Sequence, residues 1–161
     1  MTRGAGNARY YSGNGMRLFL VHHADAVSPV VDPERPLSSA GRLHAEALAG
    51  QAASAGVRPD VIWHSGKRRA RETAEIFWRA CNPLASLNMV RGLRPEDSPG
   101  WMRDVLRAEV RDVMLVGHMP SLPALLHALI GDAAFPLHGL VWLEREPDGA
   151  FVERRRWTGS T

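Results

Sequence analysis

Two short apolar runs constrain the fold of this chain more than any other feature of its sequence. Residues 16–21 read MRLFLV, and residues 113–116 read VMLV. Neither run alternates between apolar and polar residues, which is typical of strands buried on both faces of a parallel sheet. Such strands need helices on both faces to cover them. The sequence therefore predicts an α/β domain.

The segments around these runs alternate between helix and strand patterns. Helix patterns cover residues 38–56, 67–81, 101–110 and 121–130. Further strand patterns cover residues 60–63, 87–90, 140–145 and 151–157. An Asp148-Gly149 pair separates the last two strands and favours a hairpin. We expect a three-layer sandwich, with a mostly parallel central sheet, helices on both faces and a C-terminal antiparallel hairpin.

The composition limits the class of protein. With 161 residues, of which 45% are hydrophobic, the chain can bury one substantial core, so we expect a flexible tail over residues 1–15 and a single domain over residues 16–161. The 20 Lys+Arg and 17 Asp+Glu are spread along the chain and give a formal net charge of +3, which fits a small anionic ligand better than nucleic acid. No apolar run reaches the ~20 residues of a membrane span. The single cysteine, Cys81, excludes an internal disulfide. We expect a cytoplasmic protein that binds neither nucleic acid nor membranes.

Histidines follow three of the predicted strands. His22 and His23 follow the first, His64 the second, and His118 the strand VMLV. Because ligands bind outside the carboxyl ends of strands in such sheets, we expect imidazoles to gather at one edge. A neutral imidazole can attack phosphorus, and a second, protonated one can donate to a phosphoryl oxygen. The segment KRRAR over residues 67–71 adds cations near a helix N-terminus, which favours anions.

Four motifs in this order resemble the histidine phosphatase superfamily, and within it the SixA type. They are HHADA at residues 22–26, RPLS at 35–38, SGKRRARETA at 65–74 and GH at 117–118. They are similar to the Arg-His-Gly, Arg-Pro-Leu-Ser/Thr, Ser-x-x-x-Arg-Ala-x-x-Thr-Ala and late Gly-His motifs of that family. The resemblance covers residues 16 to about 130, and the chain is short, as the SixA type is.

The resemblance implies a two-step phosphatase mechanism. His23 would take the phosphoryl group, and water would then hydrolyse the phosphohistidine. Arg69 would clamp the phosphoryl oxygens, and His118 would donate to them. A carboxyl group would serve the leaving group as acid or base, with Asp97 as the first choice and Glu96 as the second. The resemblance implies no metal ion and no cofactor.

His22 departs from the motif, because the family has an arginine of the phosphate clamp at this position. We expect His22 to bind phosphate together with Arg69 and His118, although strand alternation would turn one of the two adjacent histidines away from the site. An imidazole lacks the bidentate contact of an arginine and is charged only part of the time near pH 7, so weaker or more acid-dependent activity follows. We interpret His64, His127 and His138 as hydrogen-bonded, partly buried side chains without a role in the site.

The sequence leaves the substrate and two alternatives open. The expected partner is a phosphorylated protein, such as one carrying phosphohistidine, or a small phosphorylated substrate. One alternative is a metal-dependent hydrolase with His22, His23, Asp25 and His118 as ligands. In such an enzyme the Ser-x-x-x-Arg-Ala segment would have no role. The other is a degenerate, non-catalytic relative that binds phosphate or phosphoproteins without turnover.

Overall fold

A central sheet organises the computed structural model, which describes residues 15–132 and 134–159. Within these ranges the strands are β1 (Arg17–His22), β2 (Val61–His64), β3 (Ser86–Met89), β4 (Val113–Gly117), β5 (Leu140–Arg145) and β6 (Phe151–Trp157). The helices there are α1 (Ser39–Ser54), α2 (Arg68–Cys81), α3 (Gly100–Ala108) and α4 (Ser121–Ile130). None of these helices is long and apolar enough to cross a bilayer. The predicted tail over residues 1–15 lies outside the described residues, except for Gly15.

The strand order confirms the predicted mixed topology. The order is β3-β2-β4-β1-β5-β6. The first four strands in this order pair in parallel. Strands β5 and β6 pair in antiparallel fashion, and β5 also pairs antiparallel with β1. The sheet is therefore parallel on one side of β1 and ends in the predicted C-terminal hairpin on the other.

Strand β1 shows why its apolar run is continuous. Phe19 and Val21 point into a core formed with α1 and α2. Leu18 and Leu20 point into a second core formed with α3 and α4. All four side chains are fully buried, as expected for a strand with helices on both faces. The three-layer sandwich predicted from the sequence is confirmed.

The pairing of β1 with β4 places two histidine-bearing segments side by side. His22 lies opposite Gly117 in the parallel register. The pairing continues past the end of β1, because the amide of His23 donates to the carbonyl of Gly117 at 3.1 Å. His64 ends β2 opposite Val116 of the same strand. The carboxyl ends of three neighbouring strands therefore meet at one edge of the sheet.

Candidate active site

Four imidazoles cluster at this edge. The ring centroid of His23 lies 4.5 Å from that of His22 and 5.0 Å from that of His118. His138 stacks on His22 with the ring centroids 4.8 Å apart and the planes only 4° from parallel. His22, His23 and His118 are buried, with 5%, 8% and 1% of their surface exposed. Strand alternation does not separate His22 from His23, because His23 lies beyond the last residue of β1. The sequence interpretation missed the place of His138 in the cluster. It was also wrong for His127, which is exposed on α4 rather than partly buried.

Hydrogen bonds fix the tautomer of His23. Its Nδ1 lies 2.7 Å from the carbonyl oxygen of Ala24, which can only accept, so Nδ1 carries the proton and Nε2 keeps its lone pair. The amide of Ala24 donates to Oγ1 of Thr73 at 3.0 Å, and that hydroxyl donates to the carbonyl of Arg69 at 2.8 Å. Thr73 thus ties the loop after β1 to the first turn of α2. This explains why a threonine stands in the motif at residues 65–74.

Two buried polar atoms of the residues around His23 lack hydrogen-bond partners among the described residues. They are Nδ1 of His118 and Nε of Arg69. The other ring nitrogen of His118, Nε2, lies 2.6 Å from Oγ of Ser65. That hydroxyl also accepts the amide of Lys67 at 3.3 Å. Buried polar atoms nearly always have hydrogen-bond partners, so two buried nitrogens without one at this edge of the sheet indicate a place for a hydrogen-bonding ligand.

Burial keeps the site imidazoles neutral. Burial, the other imidazoles and Arg69 lower the pKa of His22 to about 3. Burial is the largest cause that lowers the pKa of His23 to about 4. The hydrogen bond to Ala24 raises this pKa, and the charge of Arg69 lowers it further. For His118, burial and then the neighbouring charges lower the pKa to about 2. These lowered pKa values favour neutral imidazoles over the protonated second imidazole considered in the sequence analysis. The positive charge comes instead from guanidinium and ammonium groups.

Three cations supply that charge. Arg69 lowers the pKa of His22, His23 and His118, so its guanidinium lies near all three rings. Arg35 lowers the pKa of His23 and of Arg69, after burial in both cases. Lys67 contributes to the lowered pKa of His118. A cluster of neutral rings surrounded by cations suits an anionic ligand.

The loop that carries the predicted carboxyl acid borders a cleft next to the cluster. A cleft of about 590 Å³ is lined by Ser65, Met89, Val90, Arg91, Gly92, Arg94 and Asp97. Ser65 lines this cleft and contacts His118, so the cleft lies next to the imidazole cluster. The carboxylate of Asp97 accepts the amide of Arg94 at 2.9 Å. Glu96 is exposed and lies outside the cleft lining, so Asp97 is the better placed of the two carboxyl groups.

The metal-binding alternative finds only part of its predicted ligand set in one group. Among the described residues, the group close enough to share an ion is His22, His23 and His138, with ligand atoms within 4.8 Å of one another. Asp25 instead accepts the hydroxyl of Ser38 at 2.7 Å. The amide of His138 donates to Nδ1 of His22 at 2.8 Å, so Nε2 of His22 carries a proton and cannot coordinate a metal. Two free imidazole lone pairs are fewer than the three protein ligands typical of catalytic zinc.

Gly41 of α1 and Glu72 of the motif at residues 65–74 shape the loop after His23. A Cβ on Gly41 would collide with the carbonyl oxygen of Asp25, so only glycine allows α1 to approach this loop. Glu72 accepts the amide of Leu37 at 3.0 Å and pairs with Arg42 at 2.9 Å. These contacts join the segment at residues 35–38 to α2. The motifs therefore combine groups that face the cluster with groups that hold its loops.

Comparison with known proteins agrees with this architecture. The family model of the histidine phosphatase superfamily (branch 1) matches residues 29–97. An uncharacterized protein of Picosynechococcus sp. is 31% identical over 114 residues, which are 66% of this chain and 68% of that protein. The structure of the putative phosphohistidine phosphatase SixA from Agrobacterium tumefaciens is 30% identical, with a TM-score of 0.70, and the match covers 85% of this chain and 97% of that one.

A more distant structure has the same fold. It is the protein histidine phosphatase SixA complexed with tungstate, which is 21% identical with a TM-score of 0.80 over 89% of this chain and 97% of that one. The chain therefore belongs to the histidine phosphatase superfamily. Within that superfamily it is of the SixA type, and its fold and relatives support phosphatase activity.

Proposed function

We propose that this chain hydrolyses a phosphohistidine or a phosphomonoester through a covalent phosphohistidine intermediate on His23, without a metal ion. One observation carries the proposal. His23 has a free Nε2 lone pair, and its ring centroid lies 5.0 Å from that of His118. Nδ1 of His118 and Nε of Arg69 are buried and lack partners among the described residues, and the charge of Arg69 acts on both rings. A nucleophile flanked by unpaired nitrogens, one of them in a guanidinium, is what an in-line attack on phosphorus requires.

In the first step, the Nε2 lone pair of His23 attacks phosphorus and forms the N–P bond. The bond from phosphorus to the leaving oxygen or nitrogen breaks, and its electron pair stays on the leaving atom. Asp97, in its protonated form, supplies the proton that the leaving atom needs. Arg69 and His22 donate to the equatorial oxygens. His118 does so from Nδ1 when the Ser65 hydroxyl donates to its Nε2.

In the second step, water attacks the phosphorus of the phosphohistidine. The carboxylate of Asp97 takes the proton of that water as the new O–P bond forms. The N–P bond breaks, its electron pair returns to Nε2 of His23, and inorganic phosphate leaves. The atoms and charges therefore balance over the cycle, and Asp97 is protonated again for the next substrate.

The access to the site supports a phosphorylated protein as the substrate, with a small phosphoester as the other choice. The cleft beside Ser65 and Asp97 has a volume of about 590 Å³ and opens to solvent, which leaves room for a side chain that projects from another protein. Two similar structures are described as putative phosphohistidine phosphatases SixA. A third similar structure was solved with tungstate, an oxyanion like phosphate.

The covalent intermediate gives a direct test. Incubation with a ³²P-labelled substrate and rapid denaturation are expected to leave an acid-labile, base-stable label on the wild-type protein. The label is expected to vanish in His23→Gln and to remain in His127→Gln, because His127 is exposed on α4. Turnover in EDTA is expected to equal turnover without it. A label that persists in His23→Gln, or activity that needs added zinc or manganese, would refute the mechanism.

A non-catalytic phosphate-binding protein is the second candidate, and one observation favours it. With the pKa of His22 near 3, the site lacks a charge that an arginine at this position would provide. This candidate predicts that inorganic phosphate binds while no aryl phosphate is hydrolysed and no labelled adduct forms. Multiple turnovers by purified protein, abolished in His23→Gln, would exclude it.

A further inference from the structure

His138 stands on a turn that closes over the end of β1. The turn runs from Pro136 to Gly139 and is closed by the amide of Gly139 donating to the carbonyl of Pro136 at 3.0 Å. The carbonyl of Gly139 in turn accepts the amide of His22 at 3.0 Å. The turn is therefore attached to the last residue of β1 and covers the side of the imidazole cluster opposite β4.

The backbone of this turn has a left-handed residue that is not glycine. His138 has a φ of 52°. Such a conformation is uncommon outside glycine and persists where the surroundings enforce it, often at functional sites. The surroundings here are close: a Cβ on Gly139 would collide with the carbonyl oxygen of Trp157, and one on Gly159 with that of Leu137. The neighbouring backbone thus fixes the direction of the His138 amide.

That amide determines the tautomer of His22. It donates to Nδ1 of His22 at 2.8 Å, so Nδ1 holds a lone pair and the proton resides on Nε2. The ring of His138 is fixed as well, because its Nδ1 donates to the carbonyl oxygen of His23 at 2.7 Å. Its face stacks on His22, 4° from parallel. Both the protonation and the orientation of His22 are thus set by His138.

We propose that His138 is a positioning residue that holds His22 as a neutral Nε2–H donor to the bound phosphoryl group. The proposal deepens the proposed function, since it assumes an oxyanion beside His23. The Nε2–H group of a neutral His22 can donate to an oxyanion, because Arg69 and Arg35 already supply the positive charge. The same proton keeps Nε2 of His22 from binding a metal, so the three-histidine group is an anion site rather than a cation site.

The tautomer is measured directly by two-bond ¹H–¹⁵N correlation spectra of histidine-labelled protein. At pH 7.5 and without ligand, His22 is expected to carry its proton on Nε2, and His138 on Nδ1. The assignment of these signals rests on their loss in His22→Phe and His138→Asn. A His22 signal that shows the proton on Nδ1 would overturn the proposal. A shift of all three signals of the group on addition of equimolar zinc would also overturn it.

A double-mutant cycle tests whether His138 acts through His22. His22→Phe keeps the ring and removes the donor, so the Kd for inorganic phosphate is expected to rise about three- to tenfold, the value of one neutral hydrogen bond. His138→Gly keeps the left-handed backbone and its amide but removes the stacked ring, and a rise of two- to fivefold is expected for a loosened His22. The double variant is expected to bind like His22→Phe alone. Additive losses would overturn the proposal, because His138 would then act by another route.

Two controls keep the outcomes distinct. His127→Phe changes an exposed histidine and is expected to leave the phosphate Kd unchanged. If His138→Gly fails to fold, His138→Asn replaces it, since asparagine also tolerates the left-handed conformation. Because the cycle measures phosphate binding, a protein that binds phosphate but never turns over refutes the proposed catalysis without affecting the role of His138.

Discussion

The buried imidazole of His118 is expected to make the stability of the protein depend on pH. Its pKa is about 2 in the folded state, against about 6.5 in an unfolded chain. Between these values the unfolded chain binds a proton and the folded one does not. The stabilising contribution is therefore complete above pH 6.5 and is lost as the pH falls. At pH 5 the loss from this residue amounts to about 2 kcal/mol, from RT ln(1 + 10^1.5).

Urea unfolding at pH 8 and pH 5 in phosphate-free buffer measures this loss. In the variant His118→Gln, the drop in unfolding free energy between the two pH values is expected to be about 2 kcal/mol smaller than in the wild type. Taking the difference between pH values within each variant removes the constant effect of the lost contact to Ser65. His127→Gln serves as the control, because an exposed imidazole meets water in both states. A drop in His118→Gln equal to the wild-type drop would refute the reasoning.

Substitutions of Gly41, Thr73 and Arg69 test further contacts, and Gly50→Ala is the control for the first. Gly41→Ala is expected to destabilise the protein by about 1–3 kcal/mol, because the new Cβ meets a backbone carbonyl. Gly50→Ala on the same helix has open space around its Cβ and should stabilise the protein by up to about 1 kcal/mol. Thermal unfolding of the two variants measures the difference. Thr73→Val leaves the amide of Ala24 without its acceptor, so urea unfolding should show a loss of about 1–3 kcal/mol. On the proposed mechanism, kcat/KM should fall as well. Arg69→Lys replaces the planar guanidinium by a single ammonium charge, so KM for an aryl phosphate should rise about tenfold in steady-state kinetics. An unchanged KM would argue against phosphate contact by Arg69.

The strands and layers could be predicted because their signals are local. The continuous apolar runs of β1 and β4 follow from burial on both faces, which sequence displays directly. Strand β3 was predicted at 87–90 and is found at Ser86–Met89, a displacement of one residue that β1 and β2 also show. It is a short edge strand whose side chains are mostly exposed, so no apolar pattern marks its ends.

The candidate site could be predicted only where a motif or a strand end marked the residue. His23 and His118 both follow buried strands, and the structure brings their rings together. The position of His138 depends on a left-handed turn and on contacts with distant backbone, and nothing near it in the sequence reports either. The charge state of the imidazoles was also beyond the sequence. Burial, which only the fold determines, is the largest cause of the lowered pKa of His118.

Because His22 lies opposite Gly117, the β1–β4 register determines where His23 and His118 lie relative to each other. A slip of one residue would carry His23 about 3.3 Å along the sheet and reverse the faces that β1 presents to its two cores. Because this pairing joins segments distant in sequence, it closes slowly compared with local helices. During refolding, affinity for an oxyanion should therefore emerge only after the two strands have paired in their correct alignment, which makes ligand capture a sensitive reporter of that event.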